Sequence, residues 1–410
     1  MKPLVSMDSF NRPPLCVEVN GRLVQYLSFS RPKTAHKNPV LILGGAFQKF
    51  KSFKKDVELL SDVHPVLLVD LPGQGGNDDL GDNLSFEELA DILCGFLDQV
   101  GVEKVTPIAL SYGSAIGFHF ASKYPSRTDK LILGGTTPEV RESVRLLLEE
   151  SFTSLNEGKM ERFSAGVVLN LLNFYRRHEI KGAELLQKGL YKNMLKLEAA
   201  DLVRYEINTR RLLDLHELPT GPTCETLVLV GEYDNFTTPA ECFSVARLCE
   251  NSTFGIISNT DHLAPYENKK LVNKLYKKFL AGIPINGTTG VKIFNKSEYP
   301  VMLQRLEPRY EIDDISFIEG GGNFYPVNIV NISTAGVMLD KSLSGDLPIN
   351  NRNLKIRLPF NDLEMDLFLV DDREDTVRGI FKRYHFGKAK EVEEFVRHVA
   401  GQSNGFCDAA

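Results

Sequence analysis

Five short apolar runs recur along the first two thirds of the chain, each closed by a turn or a small residue. Residues 39–43 read PVLIL before Gly44 and Gly45, 65–70 read PVLLVD before LPGQGG, and 104–110 read KVTPIAL before Ser111; 130–133 read KLIL before Gly134 and Gly135, and 226–230 read TLVLV before Gly231. Continuous apolar runs of this length suit strands buried on both faces of a parallel sheet. Helical patterns lie between them. LSFEELADILCGFLDQVG, residues 84–101, offers Ser85 as N-cap, acids in its first turn and Gly101 at its end. Alternating β and α patterns predict a doubly wound α/β domain. The alternation stops between about 138 and 218, where the pattern is helical throughout and predicts a cap over the carboxyl edge of the sheet. AGIPINGTTG, 281–290, is a loop and places a boundary, with one domain over 1–285 and a second over 286–410. Beyond it PVNIVNI, VMLDKSL, LKIRLPF, EMDLFLV and TVRGIFKRY are short, partly alternating runs that predict an all-β module, closed by an amphipathic helix over KAKEVEEFVRHVA, 388–400.

The totals bear on partners more than on fold. A length of 410 residues accommodates two domains, and a net charge of −6 advertises no bulk basic field for nucleic acid or an acidic membrane. The six cysteines form no C-x-x-C pair and no His/Cys cluster of zinc spacing, so no metal is expected. The N-terminus lacks the apolar core of a signal peptide, and no run of 18 apolar residues occurs. These features predict a soluble protein of a reducing compartment, the cytoplasm.

The chemistry starts at VTPIALSYGSAIGFHF, a strand that turns straight into a helix at Ser111. A nucleophile elbow of form G-x-S-x-G needs small residues two before and two after a serine held at positive φ. Here Ala109 and Gly113 fill those places, so the first glycine is replaced. Without partners Ser111 is equally a helix cap. The partners are present in the order such a fold requires, Ser, Asp, His. Asp234 follows the run TLVLVGEY, and His262 lies in SNTDHLAPYE before the last helix of the first domain. A hydroxyl is a poor nucleophile until a base takes its proton, so His262 is the expected base and Asp234 the group that orients it. Asp261 is a rival acid, but as the neighbour of His262 its side chain should point elsewhere. The backbone N–H of Tyr112 is the expected first oxyanion donor; the loop LILGGAFQKF supplies the second, from Ala46 or Phe47, with Ala46 preferred. DLPGQGG is read as a tight turn with Asp70 structural.

On these stretches the first domain resembles an α/β-hydrolase with a helical cap. LGGAFQKFKSF, VDLPGQGGND, ALSYGS, GEYDNFTTPAECFSVARL and TDHLAPYENKKLV resemble, within that superfamily, the 3-hydroxyacyl acyltransferases that make rhamnolipid precursors. The resemblance implies Ser111, Asp234 and His262 as a triad and an acyl substrate on acyl carrier protein or coenzyme A. It departs from the family at Ala109 and at Asp261. Two rivals remain: a simple esterase or thioesterase that always uses water, and a non-catalytic receptor whose hydrolase domain is only a platform.

The second module carries R-x-x-x-R at Arg305 and Arg309, and 22 residues on N-x-S-x-x-G at Asn331, Ser333 and Gly336. Together, ahead of a β-rich stretch, they resemble the PilZ β-barrel domain, which binds cyclic di-GMP. The resemblance implies that nucleotide as a regulatory ligand. Guanidinium forks match guanine O6 and N7 or clamp a phosphate, and Asn331 and Ser333 offer short polar groups beside them. Gly336 is expected to admit a turn or a close ligand. Residues 291–410 hold 15 Lys and Arg against 19 Asp and Glu, which argues against polymeric nucleic acid as partner.

Overall fold

A computed structural model describes residues 7–298, 307–344 and 347–402. The chain packs as two compact units: Met1–Val140, Ile180–Gly182 and Lys196–Met302 form the first, and Arg141–Glu179, Ala183–Leu195 and Leu303–Ala410 the second.

The first unit is a nine-stranded sheet. Its strands are β1 (Leu15–Val19), β2 (Arg22–Phe29), β3 (Val40–Leu43), β4 (Val66–Asp70), β5 (Thr106–Leu110), β6 (Lys130–Gly134), β7 (Glu225–Gly231), β8 (Asn251–Ile257) and β9 (Val291–Asn295), in spatial order β1-β2-β4-β3-β5-β6-β7-β8-β9. The six strands from β4 to β8 run parallel, and β1, β2 and β9 are antiparallel additions at the edges. The five apolar runs of the sequence are β3 to β7, and every residue of β3 and β4 is buried. Helices α1 (Lys54–Leu60), α2 (Phe86–Gln99) and α3 (Tyr112–Lys123) follow β3, β4 and β5. α2 begins as the sequence predicts: Ser85 Oγ accepts from the Glu88 N–H at 3.1 Å, and Glu88 Oε2 accepts from the Ser85 N–H at 2.7 Å. The boundary expected at 285/286 falls too early for the sheet, because β9 pairs with β8 from Thr253↔Asn295 to Ile257↔Val291.

The helical stretch between β6 and β7 comprises α4 (Glu142–Asn156), α5 (Met160–Leu171), α6 (Ala183–Met194) and α7 (Ala199–Leu213). It is divided between the units, with α4 to α6 in the second and α7 in the first. After β7 come α8 (Pro239–Leu248), α9 (Ala264–Glu267) and α10 (Lys269–Leu280).

The core of the second unit is a closed antiparallel barrel in the order β10-β11-β12-β15-β14-β13. Its strands are β10 (Tyr310–Gly320), β11 (Asn323–Ser333), β12 (Gly336–Asp340), β13 (Leu354–Arg357), β14 (Glu364–Val370) and β15 (Thr376–Phe381), and α11 (Phe386–Gln402) closes the chain. Ile318, Val327, Ile329, Leu339, Ile356, Leu367 and Phe381 fill the barrel, and Val392, Phe395 and Val396 of α11 join the same cluster. α4 and α5 are fastened to this barrel. Leu146 and Leu147 of α4 pack on Phe368, Val370 and Ile380, and the buried Glu150 binds Lys382 at 3.1 Å while also pairing with Arg162 of α5. A buried ion pair whose partners are matched contributes registry more reliably than net stability.

Gly336 has no positive φ; its backbone lies against β15, so a Cβ there would sit 2.0 Å from the Gly379 carbonyl oxygen. Gly336 closes the 334–335 turn, and what excludes a side chain there is the neighbouring strand β15. Gly336→Ala should therefore destabilise the second unit by about 1–3 kcal/mol. Gly189→Ala in α6, where nothing lies within 4 Å of the new methyl, should be neutral or stabilising by up to about 1 kcal/mol. Chemical denaturation of both variants checks the contrast.

Candidate active site and ligand-binding motif

β5 delivers Ser111 into the gap before α3. The serine sits at φ 49° and ψ −120°, a conformation that side chains avoid and that aims Oγ out of the sheet. Its N–H is held by the Gly134 carbonyl at 2.7 Å. Gly113 has no alternative, since a Cβ there would lie 2.6 Å from both the Leu43 and Gly44 carbonyl oxygens. The departure at Ala109 is absorbed one helical turn further on: a Cβ at Gly117 would stand 2.5 Å from the Ala109 methyl. The elbow thus exchanges its first glycine for one in α3, a trade that no spacing rule within G-x-S-x-G would reveal.

The structure brings the three expected residues together. His262 Nε2 lies 3.0 Å from Ser111 Oγ, and His262 Nδ1 lies 2.9 Å from Asp234 Oδ2. Asp234 is 1 % and His262 8 % exposed, so the pair works away from bulk water. Asp234 is itself locked: its Oδ1 accepts from the N–H groups of Phe236 and Thr237 at 3.0 and 2.9 Å, and its Oδ2 from the Thr237 hydroxyl at 2.9 Å. Thr237 also stands 3.2 Å from His262 Nδ1, a role the sequence reading did not find. Asp261 does point elsewhere: its Oδ1 accepts from the His262 N–H at 2.7 Å, and its own N–H donates to Glu267 at 2.6 Å. Gly135, at φ 61°, leaves room for the imidazole, whose Cε1 would lie 2.9 Å from a Cβ there.

Tyr112 opens α3, where the first N–H groups have no partner inside the helix. In the β3 loop the Gly45 N–H is already given to Gln48 Oε1 at 2.7 Å, so it is not the loop's spare donor, and Ala46 and Phe47 follow it at the edge of the cleft. Gln48 continues to the Tyr266 hydroxyl at 2.9 Å, and Gln74 holds the Gly44 carbonyl at 3.1 Å. These two glutamines support the loop; a glutamine without a motif carried no signal in the sequence. Beside this loop opens a cleft holding about 440 Å³ of space not filled by protein atoms, part of it open to solvent. Ala46, Phe47, Tyr112, Arg204, Tyr205 and Asn208 are among its walls, with the Phe47 and Tyr205 rings stacked at 5.2 Å.

Of the expected nucleotide residues, Arg305 lies outside the described residues. Arg309 immediately precedes β10, Asn331 and Ser333 lie in β11, and Gly336 opens β12. Among the described residues Asn331 Oδ1 is buried without a hydrogen-bond partner. Ser333 Oγ instead serves the turn, accepting from the Ala335 N–H at 3.3 Å and donating to the Gly336 carbonyl at 3.4 Å. Glu307, between the two arginine positions, accepts from the Thr334 hydroxyl at 2.6 Å and lies 3.8 Å from Arg383. Arg383 donates to Asn170 Oδ1 of α5 at 3.1 Å, and Asn170 Nδ2 returns a bond to the Arg383 carbonyl at 3.0 Å. A polar path therefore leads from Glu307 to α5. Among the described residues no helix is long and apolar enough to cross a membrane.

A family model described as alpha/beta hydrolase fold matches residues 38–269. The chain is 32% identical over 106 residues to a poly(3-hydroxyalkanoate) depolymerase of Ectopseudomonas oleovorans, across 26% of this chain and 38% of that protein. It is 22% identical over 267 residues to an (R)-3-hydroxydecanoyl-ACP:CoA transacylase of Pseudomonas putida, across 63% of this chain and 87% of that protein. Among solved structures, an alpha/beta hydrolase enzyme from a Medee basin deep-sea metagenome library superposes with a TM-score of 0.58 at 19% identity, covering 66% of this chain and 98% of that one. That likeness speaks for the fold.

Two buried carboxyls near the site titrate late. Burial pushes Asp70 up to about 7 against a bond from the Gly76 N–H, and burial pushes Glu267 up to about 7 against a bond from the Asp261 N–H. Both folded values exceed the unfolded ones, so their stability contribution is present below about pH 4 and is lost as pH rises through about 7. The melting temperature of the protein should fall between pH 5 and pH 8, and Asp70→Asn should flatten that slope. A slope unchanged in the variant contradicts the assignment.

Proposed function

The chain belongs to the alpha/beta hydrolase fold family, and from that premise we propose that it is a serine acyl-transfer enzyme acting on hydroxyacyl thioesters or esters, joined to a cyclic di-GMP sensor. The observation that carries the enzymatic half is the continuous chain from Ser111 Oγ through His262 to Asp234. In this reading Ser111 Oγ attacks the acyl carbonyl carbon while His262 Nε2 takes its proton. The Tyr112 and Ala46 N–H groups hold the oxyanion. The carbonyl re-forms, the thiolate or alkoxide leaves, and His262 returns the proton to it. Water or a second hydroxyacyl hydroxyl then attacks the acyl-serine, its proton passing to His262 and back to Ser111. Asp234 holds the imidazole and stabilises its charged form. The P. putida transacylase, named for a 3-hydroxydecanoyl group moved between ACP and CoA, supports a thioester on one of those carriers as donor.

The sensor half rests on the orphaned Asn331 amide oxygen and on Arg309 at the start of the barrel. Those residues, with Arg305, would hold the nucleotide, and the amide oxygen fits a guanine N–H. The path through Glu307 and Arg383 to Asn170 supports transmission of its binding to α5.

Turnover of a 3-hydroxydecanoyl thioester, with products identified by mass, tests the enzyme. An ester-linked dimer or a transferred acyl group is expected, and free acid alone would leave a thioesterase. Ser111→Ala should lower kcat by about 10⁴- to 10⁶-fold; undiminished turnover in that variant would contradict the triad. Calorimetric titration with cyclic di-GMP should show binding that Asn331→Ala and Arg309→Ala weaken at least tenfold. Absence of binding to the unmodified protein removes the sensor.

A further inference from the structure

Arg211, in the last turn of α7, is 7 % exposed. A guanidinium buried to that degree is expected to meet a carboxylate. Among the described residues every hydrogen bond it makes ends on a neutral oxygen: Nη1 donates to the Tyr112 hydroxyl and, at 2.9 Å, to Asn208 Oδ1, Nε donates to the Leu84 carbonyl and Nη2 to the Gly81 carbonyl. A full positive charge is thus fixed behind Tyr112, a residue of the cleft wall, with no anion bonded to it among the described residues. Its position is set by a stripe on α7: Arg204 donates twice to the Asn77 carbonyl, at 2.9 and 3.2 Å, and Asn208 Nδ2 donates to the Gly73 carbonyl at 2.7 Å. Gly73 admits no side chain there, since a Cβ would lie 2.8 Å from the Leu80 carbonyl oxygen and 2.9 Å from Asn208 Oδ1.

The residue held by this cation is the one that follows the nucleophile. Tyr112 is 5 % exposed, its ring packs 5.4 Å from that of Phe86, and its N–H is the expected oxyanion donor. We propose that Arg211 is a positioning residue for acyl transfer: it fixes Tyr112, and with it the amide at the start of α3, and it supplies a preorganised, buried positive charge one side chain behind that amide. The proposal rests on the serine acyl-transfer reading. Preorganised dipoles and charges accelerate a reaction because they need no reorientation when negative charge appears. That the cation carries no bonded carboxylate in the resting protein is what leaves its field available to the transition state.

The alternative is a latch, with Arg211 merely holding α7 in place. The two make opposite predictions for a fluorophosphonate probe. Ser111 Oγ displaces fluoride at phosphorus, the hydroxyl proton goes to His262, and the phosphoryl oxygen occupies the oxyanion position. Positioning predicts that Arg211→Met labels about tenfold to a hundredfold more slowly than the parent, while Arg211→Lys, which keeps the charge, recovers part of the rate. A latch predicts that loosening α7 leaves the serine as accessible or more so, with labelling unchanged or faster. Tyr112→Phe cuts the bond and keeps the cation; it should label several-fold more slowly while losing only the few degrees of melting temperature that one buried hydrogen bond contributes. This variant decides the matter should Arg211→Met fail to fold. Unchanged or faster labelling in the folded variants overturns the proposal. Ser111→Ala separates the two levels of argument. Labelling that survives in it removes the serine reading together with this inference; labelling lost in Ser111→Ala yet undiminished in Arg211→Met removes this inference alone.

Discussion

The close approach of α3 to the ends of β3 and β5 is the constraint on which the rest of the first unit depends. Where Gly113 passes the Leu43 and Gly44 carbonyls there is no space for even a methyl group. That approach holds Ser111 at φ 49°, in strain that the surrounding sheet must over-determine. Buried strands on both sides supply the rigidity: β3, β5 and β6 bury nearly every residue. The serine meets His262 because β7 and β8 follow β5 in the sheet, beyond β6, each carrying one partner on the loop after it. Such geometry places the reactive atoms on rigid elements, where a small misplacement would be costly.

The insertion between β6 and β7 has two allegiances. α7 uses polar groups, Arg204, Asn208 and Arg211, to grip carbonyls of the 73–84 loop, and Arg204 and Asn208 also form part of the wall of the cleft. α4 and α5 are bound to the barrel through Glu150, Lys382, Asn170 and Arg383. A chain segment that leaves the catalytic sheet, packs on the barrel and returns as a cleft wall gives the barrel a covalent route to the active site.

Much of this was legible in the residues. The apolar runs identified β3 to β7 because strands buried on both faces cannot hide their composition. Ser111, Asp234 and His262 were legible because each follows a strand or precedes a helix at the place its chemistry needs. β10 escaped because its outward face carries Glu311, Asp313 and Asp314 in place of apolar alternation, with a register shift between Glu311 and Asp314. β9 escaped because it is an edge strand beyond a loop that read as a boundary. Gly117 compensating Ala109, Thr237 holding Asp234, and Arg211 holding Tyr112 are long-range or off-motif pairings, visible only once the chain is folded. Gly336 was noticed for the right reason, intolerance of a side chain, but the backbone that fills its space is β15.

The central claim is that Ser111 carries the acyl group. Rapid mixing of the protein with a 3-hydroxydecanoyl thioester, acid quench and peptide mapping by mass measures it directly. The account predicts a 3-hydroxydecanoyl adduct on the peptide containing Ser111, formed within the first turnover and absent from Ser111→Ala. Turnover without any adduct at Ser111, or with the acyl group on another residue, would contradict it.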